Sequence, residues 1–493
     1  MKKEMSRALS HSIVFIFLSV TLAYTQVLKP GFDKSEYMEL MKVSARFGDT
    51  TYVNAIAKPQ QYAFVYRSPV VGLENRWDLW VNKQHSVGVI SIRGSVASSV
   101  SWLANFYSAM VPAKGELEIS DKEKFVYELA SNPKAAVHVG WLVSTAFLSK
   151  DILPKIDSCY KKGIKDMIIM GHSQGGGIAY LMTAYLYSLQ KNKQLPEDIR
   201  FKTYCSAGPK PGNLFFAYEY EAMTQNGWAY NVVNSADWVP EVPLSVQTIH
   251  DFNTTNLFAN ARGIIKKQKF FQRIALNYVY NRLSKPSLKA QKRYQNYLGK
   301  MAYKLVKKNL NGYISPDYYS SNNYVRTGSI IVLLADEEYY KLYPDNKEKV
   351  FVHHFHAPYM YLTEKLAWNQ HGTLTDSLAL PFLDGTWELT YISGPKITFD
   401  GLYPNQKPSI TLHTNNRTVA GNSSCNSFRG QFTIIDQTIR FPDTFVMTRM
   451  FCEGGGEQAF MDALKKVNKY AIADNTLTFY INELPLMRFT REL

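Results

Sequence analysis

From about Gln26 to Leu378, short apolar runs alternate with longer stretches in which apolar residues recur at helical spacing. Val87 to Ile92, Met167 to Met170, Phe201 to Cys205 and Trp228 to Val233 predict strands, and Ile178 to Leu189 predicts an amphipathic helix. Strands and helices in alternation imply an α/β domain. After His371 the texture changes. Residues 383 to 493 read as short β segments separated by Gly, Asn, Asp and Pro, with one helical stretch from Gln458 to Val467. A boundary is expected near residue 380, giving domains at 26–380 and 381–493 with no long linker between them. The length of 493 residues and the 46% hydrophobic content suit two such cores.

One junction in this pattern carries chemistry. The run ending at Met170 stops in Gly171-His172-Ser173-Gln174-Gly175, and small residues open a helical pattern directly behind it. A sharp strand-to-helix turn presents a serine hydroxyl to substrate, with glycines on either side to avoid clashes across the bend. The helix start also sets backbone N–H groups beside the serine, where a developing oxyanion can accept hydrogen bonds. Ser173 is therefore the candidate nucleophile.

Composition adds a few bounds. Lys2, Lys3 and Arg7 precede an uncharged stretch from Ile13 to Ala23, which reads as a secretory signal over residues 1–25, cleaved between Ala23 and Gln26. An uncleaved membrane anchor is the alternative. Export implies a secreted, periplasmic or envelope-associated protein, and argues against nucleic acid as the target of the net charge of +15. Of four cysteines, Cys425 and Cys452 are the expected disulfide pair, whereas Cys159 and Cys205 lie beside a helix and in an apolar strand, as buried free thiols do. No C-x-x-C or H-E-x-x-H spacing supports a metal site, and no cofactor is implied.

Around Ser173 the sequence resembles the class 3, or fungal-type, lipases of the α/β-hydrolase fold, over roughly Ser86 to Leu362. The matching segments are Arg93-Gly94-Ser95 at a strand end, followed by Trp102; Val137-His138-Val139-Gly140-Trp141; the stretch with Pro209, Gly212 and Asn213; and Asp237 with Pro240 and Pro243. The resemblance implies an oxyanion hole from the N–H of Ser95, with its hydroxyl as an additional candidate, and the N–H of Gln174. It implies a structural His138 and a catalytic Asp237. The base should follow in the chain. His356-Ala357-Pro358-Tyr359 has the family's histidine-to-tyrosine spacing, so His356 is expected, with His353 and His354 as register alternatives. Val96, Val100, Trp102, Leu103 and Phe106 would form a lid helix over the site.

Residues 383 to 490 resemble the META, or HslJ-like, domain through Leu383-Asp384-Gly385-Thr386-Trp387, Gly421 to Gly430, Thr448 to Cys452, and Glu457 with Phe460. That family implies a small β-rich module of no agreed chemistry. Together the resemblances imply a serine carboxylester hydrolase, lipase or phospholipase, acting on lipid or another ester. An esterase on acylated polysaccharide and a catalytically silent envelope or adhesion protein are the alternatives. Between Asp237 and His356 stands a mostly helical insertion, from about 258 to 325. Within it residues 261 to 310 hold 14 Lys or Arg and no Asp or Glu, so peripheral contact with an anionic membrane is expected there. Oligomeric state is left open.

Overall fold

The computed structural model describes residues 28–366 and, from 383 to 491, all but 395–397, 415, 436–437, 452–454, 474 and 483. The expected signal segment, the boundary near residue 380 and Cys452 lie outside the described residues. Seven strands build the central sheet: β1 (Tyr62–Arg67), β2 (Trp77–Asn82), β3 (Val87–Ile92), β4 (Asp166–His172), β5 (Arg200–Ser206), β6 (Ala229–Asn234) and β7 (Ser329–Leu333), side by side in chain order. The pairings β1 with β2 and β2 with β3 are antiparallel, and those from β3 to β7 are parallel. The four expected strands coincide with β3, β4, β5 and β6 to within one residue at each end, except that β4 runs two residues past Met170 to His172.

The near-continuous apolar runs of β3 and β4 follow from burial on both sheet faces. Ile90, Ile92, Met167 and Ile169 turn to one face, where helices α3 (Val139–Lys161) and α4 (Gln174–Lys191) supply Trp141, Leu142, Ile178 and Leu181. Val87, Val89, Ile168 and Met170 turn to the other face. There α1 (Lys34–Ser44) supplies Leu40 and Met41, and α7 (His356–Lys365) supplies Tyr359 and Leu362. Asp33 caps α1 by accepting from the N–H groups of Ser35 and Glu36. Parallel strands joined by helices bring β3, β4, β5 and β6 to one edge with their carboxyl ends together, where open α/β sheets bind ligands.

Helix α2 (Ser99–Phe106) follows β3. The insertion between β6 and β7 contains α5 (Phe270–Gln295), a π-helical turn over Asn296–Met301 and α6 (Ala302–Asn309), while β6 and β7 pair in register from Tyr230 with Ser329 to Asn234 with Leu333. A helical block can therefore enter this connection without breaking the sheet.

From residue 385 an eight-stranded antiparallel sheet forms, with Gly385–Ile392 between Ser409–His413 and Leu484–Arg491. The helix Gly456–Lys466 covers a core that includes Trp387, Phe428, Phe460, Phe479 and Phe489. Asn426 ties its loops together. Its Oδ1 accepts from Met450 N–H and Thr448 Oγ1, both at 2.8 Å, and its Nδ2 donates to Glu457 Oε1 at 3.2 Å.

Candidate active site

Ser173 sits between β4 and α4 at φ 61 and ψ −130, a strained conformation for a residue with a Cβ. The bend needs glycine on both sides. A Cβ on Gly171 would lie 2.1 Å from the carbonyl oxygen of Gly175, and one on Gly175 would lie 2.3 Å from that of Ile92. The serine lines a cavity of about 570 Å³ with Val96, Trp102, Phe351, His354 and Phe355, a largely apolar wall around a polar floor.

Asp237 follows β6 and is buried, with a partner for each oxygen. Oδ1 accepts from the N–H of Val239 at 3.0 Å. Oδ2 meets His354 Nδ1 at 2.8 Å and accepts from the Tyr359 hydroxyl at 2.8 Å. The histidine held by Asp237 is thus His354, and the expectation of His356 is corrected. His354 lies in the turn before α7, which aims its ring at the end of β6. His356 is the first residue of α7, and its ring turns instead toward Tyr52 Oη, 2.7 Å from Nδ1, and Ser44 Oγ, 3.1 Å from Nε2. Burial pushes His356 down to about 3, helped by the neighbouring His354 and Arg46. Tyr359, whose spacing pointed to His356, marks the carboxylate rather than the histidine three residues before it. His353 faces elsewhere, between Tyr339 Oη at 2.8 Å and Asp345 Oδ1 at 3.0 Å.

Ser95 and Gln174 come together through their side chains. Ser95 Oγ donates to Gln174 Oε1 at 2.7 Å and accepts from Asn105 Nδ2 at 2.8 Å. The serine's one hydroxyl proton is committed, so the donor left for a ligand is its backbone N–H, not the hydroxyl. Gln174 opens α4, where a first-turn N–H has no partner within the helix.

Of the lid residues, Val96 and Trp102 line the cavity and Phe106 is exposed, but Val100 and Leu103 pack against the core. Only one edge of α2 faces the site, because Ser101 and Ala104 bury the opposite edge. His138 proves to be the N-cap of α3, accepting from the N–H of Trp141 and stacked on its ring at 3.7 Å, and burial pushes it down to about 3. Cys425 is disulfide-bonded, and Cys159 and Cys205 are free and buried. The expected partner Cys452 lies outside the described residues. Among the described residues no cluster of His, Cys, Asp or Glu could hold a metal ion.

Two residues escaped sequence reasoning. Asn105 holds Ser95 and also accepts from the indole of Trp141 at 3.1 Å. His172, inside the elbow, bonds Ser206 Oγ at 3.0 Å and donates from Nε2 to the carbonyl of His354 at 2.8 Å. Burial, with His356 and His354 alongside, holds His172 well below the usual imidazole range, so it is a neutral strut under the His354 turn. Its place in Gly171-His172-Ser173 was the available signal.

Residues 89–247 match the family model described as lipase (class 3), and residues 378–492 match the META domain. The chain joins a class 3 lipase domain to a META domain. The first has the α/β-hydrolase architecture, and the second is the separate β-rich module. Among solved structures, the Rhizomucor miehei lipase propeptide complex is similar at 21% identity, with 42% of this chain and 63% of that chain covered and a TM-score of 0.30. The lipase of Rhizopus microsporus var. chinensis is similar at 21%, covering 43% and 69%, with a TM-score of 0.32. A fungal lipase–inhibitor complex is similar at 20%, covering 43% and 74%, with a TM-score of 0.33. This chain thus spans less than two thirds of the propeptide-complex lipase. No curated relative matches.

Proposed function

We propose that the protein is a serine carboxylester hydrolase acting on lipid esters through Ser173, His354 and Asp237. The observation that carries this reading is the 2.8 Å contact between Asp237 Oδ2 and His354 Nδ1, with His354 and Ser173 lining one cavity. An Nδ1–H donated to the carboxylate leaves Nε2 as an unprotonated acceptor. Ser173 Oγ attacks the ester carbonyl carbon as Nε2 takes its proton, and the N–H groups of Ser95 and Gln174 receive the negative oxygen. Each such donor is worth roughly 3 to 4 kcal/mol in the transition state. The intermediate collapses, and the leaving alcohol carries away the proton from His354. Water then gives a proton to the same nitrogen as it attacks the acyl-enzyme, and the acid leaves as that proton returns from His354 to Ser173 Oγ.

A lipid substrate is supported by the apolar cavity wall and by Trp102 and Phe106 beside its mouth, with ring centroids 5.9 Å apart. Export belongs to the same proposal and is supported by the disulfide at Cys425, a bond rare in reducing compartments. The test is turnover of p-nitrophenyl esters from acetate to palmitate, of phosphatidylglycerol and of a feruloyl sugar ester, with fluorophosphonate labelling of wild type and Ser173→Ala. Labelling lost in the variant, with preference for longer acyl chains, is expected. Turnover confined to the sugar ester would transfer the reading to acylated polysaccharide, and undiminished labelling of Ser173→Ala would end it.

A further inference from the structure

Helix α5 is turned inside out. The two buried positions are polar, Ser284 and Gln291, and Arg273, Asn277, Tyr280 and Leu288 on the same stripe are half-buried. Most of its large apolar residues point away from the protein: Phe270 is 60% exposed, Phe271 82%, Ile274 53%, Tyr278 60% and Leu283 74%. A helix on a globular protein normally buries its apolar stripe, and large exposed apolar patches rimmed by charge mark interaction sites. Lys266, Lys267 and Lys269 stand exposed at the head of the helix, within a fifty-residue stretch that carries 14 cations and no carboxylate.

We infer that this face seats the protein on an anionic lipid surface and so brings the mouth of the active site to its substrate. The charge decides the occupant. A second copy of the chain would set fourteen like charges against fourteen, and a nucleic acid would satisfy the cations but leave Ile274, Leu276, Val279 and Leu283 in water. A bilayer of anionic headgroups meets both needs, since aromatic and aliphatic side chains enter the interface while lysine stems reach the phosphates. Among the described residues no helix is long and apolar enough to cross a membrane, so the contact is peripheral.

The path from this face to the site is continuous. Helix α5 runs through the π-helical turn into α6, which packs against α2, the helix that carries Trp102 and Phe106. The carbonyl of Leu298 accepts from the N–H of Ala109, and a Cβ on Gly299 would lie 2.9 Å from that of Ala109, so the turn is locked onto the segment just after α2. Docking through α5 therefore presents the cavity mouth to lipid, a purpose that rests on the ester-hydrolase reading.

The experiment is vesicle sedimentation of the full chain on phosphatidylcholine with rising phosphatidylglycerol content, for wild type, Lys266→Gln/Lys267→Gln/Lys269→Gln, and Phe270→Ser/Phe271→Ser/Ile274→Ser. Wild type should bind in proportion to the anionic lipid and release as salt is raised. Each cation near such a surface contributes about fivefold, so the triple lysine variant should bind on the order of a hundredfold more weakly. The apolar variant should also lose binding, while both hydrolyse p-nitrophenyl acetate as wild type does. Equal binding to neutral vesicles, or unchanged binding by both variants, overturns the inference. So does a wild-type dimer in vesicle-free solution that the apolar variant dissolves, which would make a second copy the occupant. An inactive wild type that still binds as described would overturn the hydrolase reading and leave the docking face standing.

Discussion

His354→Ala and His356→Ala separate two imidazoles that lie two residues apart and face different partners. Removing His354 takes away the group bonded to Asp237 and the acceptor for the Ser173 proton. Loss of the base in a catalytic triad costs on the order of 10⁶ in kcat, which at 1.36 kcal/mol per tenfold is about 8 kcal/mol of transition-state stabilisation. His356→Ala removes the ring that bridges Tyr52 and Ser44, 2.7 and 3.1 Å away, and leaves a cavity under the start of α7. That loss falls on stability, by roughly 2 to 4 kcal/mol for a large buried side chain and its hydrogen bonds, and kcat should stay within about tenfold of wild type at a temperature where the variant is folded. The assay is p-nitrophenyl butyrate turnover beside urea unfolding on the same preparations, with the Gln variant of each histidine to guard against collapse of the site. A dead, fully folded His356→Gln beside an active His354→Gln would refute the assignment and restore His356 as the base.

Asp237→Asn should lower kcat by up to about 10⁴ through the wrong histidine tautomer, with KM little changed, as single-turnover kinetics would show. Because burial depresses His356 to about 3, its neutral form carries stability that is complete above the unfolded value of 6.5 and is lost as pH falls toward 3. His356→Gln should therefore reduce the acid-side slope of unfolding free energy by about one proton, measured by urea titration at several pH values; an unchanged slope would mean that the ring charges in the folded state. Gly175→Ala should fail to yield soluble enzyme, or should lose more than about 3 kcal/mol, because its methyl would meet the Ile92 carbonyl at 2.3 Å. A stable, active Gly175→Ala would contradict the elbow geometry. The disulfide at Cys425 should map to Cys452 in non-reducing peptide digests, and its removal should destabilise the META domain by about 3 kcal/mol; recovery of Cys452 as a free thiol would reject that pairing.

Local signals were enough for much of this protein. Runs such as Val87 to Ile92 specify strands because parallel sheet strands are buried on both faces, and the crowding between Gly171 and Gly175 leaves only glycine able to flank Ser173. Asp237 was singled out through the resemblance, which places Pro240 and Pro243 at the family's spacing after a strand-end aspartate. The histidine was not, because its identity depends on how the turn before α7 meets the end of β6 across 117 residues of chain, and a two-residue offset at a helix start swings a ring to a different wall. Tertiary structure also decided the roles of Ser95, where Asn105 and Gln174 claim the hydroxyl, and of His172, whose hydrogen-bond partners come from two separate segments. Most of all, it decided the orientation of α5. Composition marked that helix as basic and apolar, but only packing sets which residues turn inward, and here the buried ones are the polar Ser284 and Gln291.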